Sequence, residues 1–336
     1  MATMKQVAER AGVSISTVSH VINNTRVVSD DVRQRVLGII DEMRYIPSAV
    51  ARSLKNDKTK TIGVLVPNSS NPYFAELIRW IEEAAFQTGY SIILCNAHGG
   101  DHKQTTYLRL LMEKRIDGLV LVASGADDEQ DLLVHNPAVP IVQIERALPG
   151  LLADLILAGE EEGAYQATRH LIELGHRAIA CVSGPAALPR TRERVGGFMR
   201  AMAQAGLEAP PARLIQDAFT SAGGYAAFTR LLAQPHPPTA VFVTSDLMAL
   251  GGLCAASGAG VRVPHQLSVV GYDDIDGADY ASPPLTTVAP PKREMARLAI
   301  EQLIWRIKGG QGPLRSTALE SRLVVRASAT PLPPLH

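Results

Sequence analysis

Apolar positions recur along this chain with two different periods. Over residues 3–45 they fall at three- and four-residue spacing: Val7, Ala8 and Ala11, then Val18, Val21 and Ile22, then Val32, Val36, Ile39, Ile40 and Met43. That spacing predicts short helices with no strand between them. Gly12 separates the first two helices, and Ser14 is placed to cap the second. Ser29 is placed to cap a third, which opens on Asp30 and Asp31 and stops at Pro47. Residues 47–60, PSAVARSLKNDKTK, form a short helix-capable patch and a polar, lysine-bearing linker. The patch is too short to hold a helix alone in water.

From residue 61 the period changes. Segments 61–67, 91–96, 118–123 and 140–145 read as buried strands, alternating with helices near 73–88 and 102–114. The pattern then repeats, with strands at 178–183, 239–244 and 267–272 among helices near 160–174, 192–206, 222–233 and 246–259. Near-continuous apolar strands alternating with helices predict parallel sheets covered on both faces. The expected fold class is α/β: an all-α helix-turn-helix domain followed by two doubly wound parallel-sheet subdomains with a ligand cleft between them. The boundaries expected are 1–46 for the helical head, 47–60 for the hinge and linker, and 61–336 for the rest. Within that last part, one subdomain takes about 61–160 and 291–318, the other about 161–290 and 319–330. The proline-rich tail, ATPLPPLH, is expected to be irregular.

Charge sharpens this division. Over all 336 residues Lys and Arg balance Asp and Glu at 33 each, yet residues 1–60 carry ten basic and six acidic side chains. A head of +4 on a body of −4 suits a polyanion that meets one end only. Cys95, Cys181 and Cys254 lie far apart in or beside apolar segments, with no CxxC spacing, and are expected to be buried free thiols. The N-terminus has no apolar stretch of the signal-peptide kind, and no apolar run approaches a membrane span. A soluble, cytoplasmic protein is the expectation.

Residues 4–24, MKQVAERAGVSISTVSHVINN, fit a helix-turn-helix. Its second helix buries Val18 and Val21 and turns Ser16, Thr17 and His20 outward. These are short hydrogen-bonding side chains near a helix start, where a recognition helix meets base edges. Asn23 and Arg26 follow, within reach of phosphate or a flanking base.

The segments VAERAGVSISTVSHVINN, RVVSDDVRQRV and YIPSAVARSLK closely resemble the LacI/GalR family of repressors. The resemblance continues in order through IGVLVPNSSNPYF, EKRIDGLVL, LIELGHRAIACVSGP, RERVGGF, FVTSDLMALG, VPHQLSVVGYDDI and SPPLTTV, and so spans the chain. Among members of the family, the ribose-operon and purine repressors look most alike. The resemblance implies a homodimer on near-palindromic double-stranded operator DNA. It implies that residues 48–56 are a hinge helix that folds only on DNA, with Leu54 wedged between central bases and Arg52 and Lys55 near phosphates. Ser14, Tyr45 and Ala51 complete the implied contact set. TPLPPLH has no leucine heptads, so a dimer and not a tetramer is expected.

The same resemblance extends to the second domain, which looks like a sugar-binding domain. Asn71, Tyr73 and Phe74, after the first strand, match a ligand-stacking segment. Glu145 and Arg146 follow the pattern of an acid–arginine pair. Arg194 in RERVGGF matches an effector arginine, Phe219 a second stacking aromatic, and Asp273 in GYDDI a carboxylate that accepts from hydroxyls. Some positions depart from the usual pattern: Ala158 and Gly159 replace a polar pair, Ser245 stands where Asn is common, and Ala289, Pro290 and Pro291 follow TTV. These losses predict a site less suited to hydroxyls than a ribose site, and the effector is left open among a sugar or sugar derivative, a sugar phosphate, a purine and a less polar metabolite, as is the sign of its effect.

No enzyme signature competes. GxGxxG after the first strand, a Walker loop, HExxH and GxSxG are all absent. His98 and His102 have helical spacing without further ligands and read as surface residues. Asp273 and Asp274, if on a strand, would point to opposite faces and not form an acid pair. No catalytic residue, cofactor or metal is expected.

Overall fold

A computed structural model describes residues 2–45, 58–97, 101–122 and 139–332. The chain divides into two compact units, residues 1–59 and 60–336. The first has three helices, α1 (Met4–Ala11), α2 (Ile15–Asn23) and α3 (Asp30–Glu42), around a core of Val7, Ala8, Ala11, Val18, Val21, Val36 and Tyr45. A capping box starts α1: Thr3 Oγ1 accepts from Gln6 N at 3.3 Å, and Gln6 Oε1 accepts from Thr3 N at 2.9 Å. Gly12 ends α1 at φ 66°, a left-handed conformation that a residue without Cβ adopts at low cost. Ser14 Oγ then accepts from Thr17 N at 3.1 Å and opens α2. Ser29 precedes α3 but makes no side-chain cap bond; Asp30 and Asp31 instead place negative charge at the helix's positive end.

The second unit holds two six-stranded sheets. The first subdomain runs β1 (Thr61–Val66), α4 (Pro72–Gln87), β2 (Ser91–Asn96), α5 (Asp101–Glu113), β3 (Gly118–Val122), β4 (Ile141–Ile144) and β5 (Asp154–Leu157). The second runs α6 (Glu160–Glu173), β6 (Ile179–Ser183), α7 (Pro189–Gln204), β7 (Leu214–Gln216), α8 (Ser221–Leu232), β8 (Ala240–Val243), α9 (Asp246–Gly258), β9 (Ser268–Tyr272), α10 (Asp276–Asp279) and β10 (Thr286–Ala289). The chain then crosses back for α11 (Lys292–Ile307) and β11 (Ser316–Ala318), and crosses again for β12 (Arg322–Val324).

The strand orders are β11-β5-β4-β3-β1-β2 and β12-β10-β9-β8-β6-β7, so the two sheets repeat one topology. All pairings are parallel except β10 with β12. In each sheet the order reverses beside the first strand, and ligands of such sheets sit outside the carboxyl ends of the strands at that point. The central strands are buried on both faces, as their apolar runs predict.

The sequence reading misses β5, β7, β10, β11, β12, α10 and α11. It also expects three buried cysteines, whereas Cys95 and Cys181 are buried and Cys254 is exposed. The tail beyond β12 is irregular as far as Leu332, whose N–H donates to Leu174 O at 2.9 Å. Among the described residues no helix is long and apolar enough to cross a membrane.

Candidate functional site

Two surfaces carry the chemistry, one in each unit. On the head, Ser14, Ser16, Asn23 and Arg26 are exposed, while Thr17 and His20 are half-buried. Ser14 Oγ also lies 2.6 Å from Ser16 Oγ and 2.9 Å from Thr17 Oγ1, so these hydroxyls form one cluster at the start of α2. His20 Nδ1 lies 2.8 Å from Thr25 Oγ1, and Asn23 Nδ2 donates to Ser19 O at 2.8 Å. These bonds fix the directions of the side chains. Tyr45 stands apart from this face, in the head's core at 8% exposure. Ala51, Arg52, Leu54 and Lys55 lie outside the described residues.

In the second unit the carboxyl ends of β1, β4, β6, β8 and β9 converge. Asn71 Oδ1 accepts from Tyr73 N at 3.0 Å and caps α4, with Pro72 at its first position. This buries Tyr73 and Phe74 with ring centroids 5.2 Å apart, edge to face. Opposite, α7 starts at Pro189 and carries Arg190, Thr191 and Arg194. Arg194 is 1% exposed and is the hub of the site. It ion-pairs with Glu160, donates from Nη1 to Asp273 Oδ1 at 2.9 Å and to Thr244 O at 2.6 Å, and lies 3.7 Å over the Tyr272 ring. Ser245 Oγ donates to the other Asp273 oxygen at 3.1 Å.

Asp273 and Asp274 do not lie on a strand. They follow β9 in a turn with φ of 114° and 47°. Lys292 Nζ holds that turn by donating to the carbonyls of Asp273 at 2.9 Å and Asp274 at 2.7 Å, while ion-pairing with Glu76 of α4. The two carboxylates do part company: Asp273 turns to Arg194, and Asp274 pairs with Arg326 at 2.8 Å. Gly271 leaves room for buried Asp246, since a Cβ there would stand 2.1 Å from Asp246 Oδ1. Asp246 accepts from Thr287 Oγ1 at 2.6 Å and Ile275 N at 3.1 Å.

Glu145 and Arg146 are both buried. Neither Glu145 oxygen has a hydrogen-bond partner among the described residues, and the same holds for Glu160 Oε1, Arg194 Nη2 and the hydroxyls of Tyr73, Thr191 and Thr244. Burial pushes the Glu145 carboxyl up to about 7, with the push of Glu160 and against the pull of Arg190, Arg194 and the neighbouring Tyr73 hydroxyl, which approaches it without reaching full hydrogen-bond geometry. Burial likewise raises Asp273, although Arg194 opposes it.

Sequence reasoning missed Arg190, Glu160 and Lys292. The Arg190 guanidinium lies 5.0 Å from the Phe74 ring centroid and 4.6 Å from that of Phe219, over one ring from each subdomain. Glu160 restores the polarity that Ala158 and Gly159 had suggested was lost. Pro290 is buried on the crossover side, lining a separate groove of about 800 Å³ with Trp80 and Arg293. Among the described residues no group of three or more His, Cys, Asp or Glu is arranged to hold a metal ion.

Comparison with known proteins agrees with this architecture. Residues 3–48 match the profile of bacterial regulatory proteins, lacI family, and residues 168–329 that of a periplasmic binding protein-like domain. The chain is 45% identical over 333 residues to the HTH-type transcriptional repressor PurR of Photobacterium profundum, covering 99% of this chain and 100% of the relative. It is 43% identical to the PurR of Proteus mirabilis, covering 98% and 97%. Among solved structures it is similar to the lac repressor dimer bound to operator and the anti-inducer ONPF, at 27% identity, TM-score 0.89 and coverage of 98% and 99%. It is also similar to a CelR–cellobiose complex, at 32% identity, TM-score 0.74 and coverage of 98% and 100%. A LacI family regulator from Enterococcus faecium with bound ribose matches at 31% identity and TM-score 0.73, over 81% of this chain and 100% of that one. The chain belongs to the lacI family of bacterial regulatory proteins: it is a DNA-binding transcriptional regulator with a small-molecule-binding second domain, and not an enzyme.

Proposed function

We propose that this regulator is a cytoplasmic homodimeric repressor whose effector is a polyhydroxylated molecule, a sugar or sugar derivative, held between the two subdomains. The observation that carries this reading is the set of buried, unpartnered polar atoms in the cleft, on Tyr73, Glu145, Glu160, Thr191, Arg194 and Thr244. A buried polar group without a partner costs about 1–3 kcal/mol. A ligand with several hydroxyls relieves that cost at both acceptors and donors, and Phe74 and Phe219 cover its carbons once the Arg190 guanidinium that lies over both rings moves aside. Asp273, oriented by Arg194 and Ser245, adds a further acceptor; Asn71 and Arg146 shape the wall. Solved relatives holding ribose and cellobiose support the assignment.

The head, residues 1–46, supplies the reading surface of Ser16, Thr17, His20, Asn23 and Arg26, with Ser14 as cap. By the family resemblance, residues 47–60 are proposed as the hinge, with Leu54 entering the minor groove, Arg52 and Lys55 meeting phosphate, and Tyr45 and Ala51 completing the DNA-contact set. The lac repressor, solved as a dimer on operator, supports a dimeric assembly. A second reading, a purine effector, draws on the two aromatic faces that flank Arg190. A thermal-shift screen of sugars, sugar phosphates and nucleobases separates the two, because a ligand specific for the folded state stabilises it by mass action. Each hit is then titrated into an operator-binding assay. A sugar-class hit that changes operator affinity supports the first reading; stabilisation by nucleobases alone overturns it in favour of the second.

A further inference from the structure

Building on the reading of the head as an operator-binding surface, we propose that Thr25 is a positioning residue for base recognition: it holds the His20 ring so that Nε2 presents an N–H to guanine in the major groove. The geometry starts at the end of α2. Asn24 takes the left-handed conformation there, at φ 51° and ψ 39°, which Asn adopts more readily than most residues. The chain turns back, and the N–H groups of Asn24 and Thr25 both donate to His20 O. That turn sets Thr25 Oγ1 2.8 Å from His20 Nδ1. Thr25 is exposed, and its hydroxyl has no other hydrogen-bond partner among the described residues. His20 follows Ser16 by four residues and Thr17 by three, so all three share one face of α2. Nδ1 and Nε2 lie on opposite sides of the imidazole, so a ring whose Nδ1 is turned to Thr25 directs Nε2 away from it. Nε2 has no partner among the described residues.

The hydroxyl also decides what Nε2 offers. The hydrogen bond made by one ring nitrogen sets the tautomer and so the character of the other. A neutral imidazole side chain in water already favours its hydrogen on Nε2, and a hydroxyl donating to Nδ1 adds to that preference. The negative field of DNA phosphates favours the protonated ring, and Nδ1–H then donates to the same hydroxyl, which serves as donor or acceptor. Nε2 carries an N–H in both forms. In the major groove guanine presents two acceptors, N7 and O6. Adenine sets an amino donor beside N7, thymine a methyl beside O4, and cytosine an amino donor. A lone N–H donor therefore fits guanine best. A ring held before DNA arrives also loses little rotamer freedom on binding.

The test uses the full-length chain and a duplex that it selects from a pool of random palindromes, with and without the compound that the thermal-shift screen yields. Anisotropy titration at fixed salt then compares the selected duplex, each single base-pair change in one half-site, and a scrambled duplex. In the parent, changing one G·C pair to A·T is expected to weaken binding about tenfold, the scale of one base contact; in His20→Ala the same change is expected to cost under about twofold. Thr25→Val keeps the side chain's size and removes the hydroxyl. It is expected to cut discrimination at that pair to under about threefold, with every other pair, the scrambled duplex and thermal unfolding as in the parent. Thr25→Ser is expected to restore the discrimination. Thr25→Val added to His20→Ala is expected to change nothing further, because Thr25 acts through His20. The proposal is overturned if Thr25→Val leaves the discrimination unchanged, if it weakens all duplexes alike, if its effect persists without the imidazole, or if the pair read by His20 is not G·C. A protein that selects no sequence in either condition removes the operator reading itself. Base discrimination that survives His20→Ala in full keeps that reading and removes the proposal alone.

Discussion

Glu145 shows how one buried side chain ties stability to pH. Its carboxyl titrates near 7 in the folded chain because burial penalises the charge, against an ordinary value of 4.5. A raised carboxyl leaves stability intact below the unfolded value and withdraws it as pH rises through the folded one. The loss therefore runs from about pH 4.5 to about 7 and amounts to roughly 3 kcal/mol at about 1.4 kcal/mol per unit. Glu145→Gln removes this titration and keeps the side chain's size. In urea denaturation without effector, the variant is expected to match the parent near pH 5 and to exceed it above pH 7. Parallel curves across that range would contradict the assignment. Asp273 and Asp246 are shifted in the same direction by burial and are common to both proteins, so the difference isolates Glu145. Arg194 is the opposite case. Removing it strands Glu160 and Asp273 in the interior, and Arg194→Met is expected to cost about 3–5 kcal/mol, the scale for breaking a buried pair from one side. The midpoint shift in the same denaturation series measures it.

At the scale of elements, start signals decide where functional side chains stand. Ser14 caps α2, so Ser14→Ala is expected to destabilise the head by about 1 kcal/mol. Arg26, exposed beyond the helix, has no such duty; Arg26→Ala is expected to leave head unfolding unchanged while lowering operator affinity. Differential unfolding paired with operator titration distinguishes the two losses. In the cleft, Gly184 follows β6 and lies against Phe219, where an added Cβ would meet the ring at 2.1 Å. Gly184→Ala is expected to push that plate aside and weaken effector binding by roughly 1 kcal/mol, the worth of one aromatic face. Calorimetry on the effector checks it. The elements themselves were unevenly legible in the sequence. Long apolar strands and the capped helices of the head announce themselves because local chemistry alone specifies them. β7, β11 and β12 have three residues each, too few to show a period. α11 is buried on several sides, with Met295, Ala299, Gln302, Leu303 and Ile304 all inside, so it lacks a clear apolar stripe. The cleft was legible wherever a residue sits in a motif at a strand end, as Arg194 and Asp273 do. Arg190 escaped because its role arises from rings brought together by folding, one from each subdomain.

At the scale of the whole molecule, the effector can act on DNA only through a difference in its affinity for two arrangements of the protein. The cleft offers such a difference because its polar groups come from both sheets. Tyr73, Phe74 and Glu145 belong to the first subdomain; Arg190, Arg194, Phe219 and Asp273 belong to the second. A ligand that bonds both walls favours whichever spacing satisfies both. Lys292 spans the same division, joining Glu76 of α4 to the carbonyls after β9, so the crossover moves with the walls. The coupling must then be reciprocal. If effector changes operator affinity, operator DNA changes effector affinity in the same sense, typically about 5- to 150-fold per site, and with two cleft sites to one operator in the proposed dimer the operator factor is the product of the two per-site factors. Operator titration by fluorescence anisotropy, with and without saturating effector, gives one factor. Effector titration by calorimetry, with and without saturating operator, gives the other. Both need the same salt, because phosphate neutralisation makes operator affinity steeply salt-dependent and would otherwise distort the comparison. The operator factor is expected to equal the square of the per-site effector factor. A change in operator affinity with no matching change in effector affinity would mean that the binding seen by calorimetry is not the event that alters DNA binding, and that the cleft is not the controlling site.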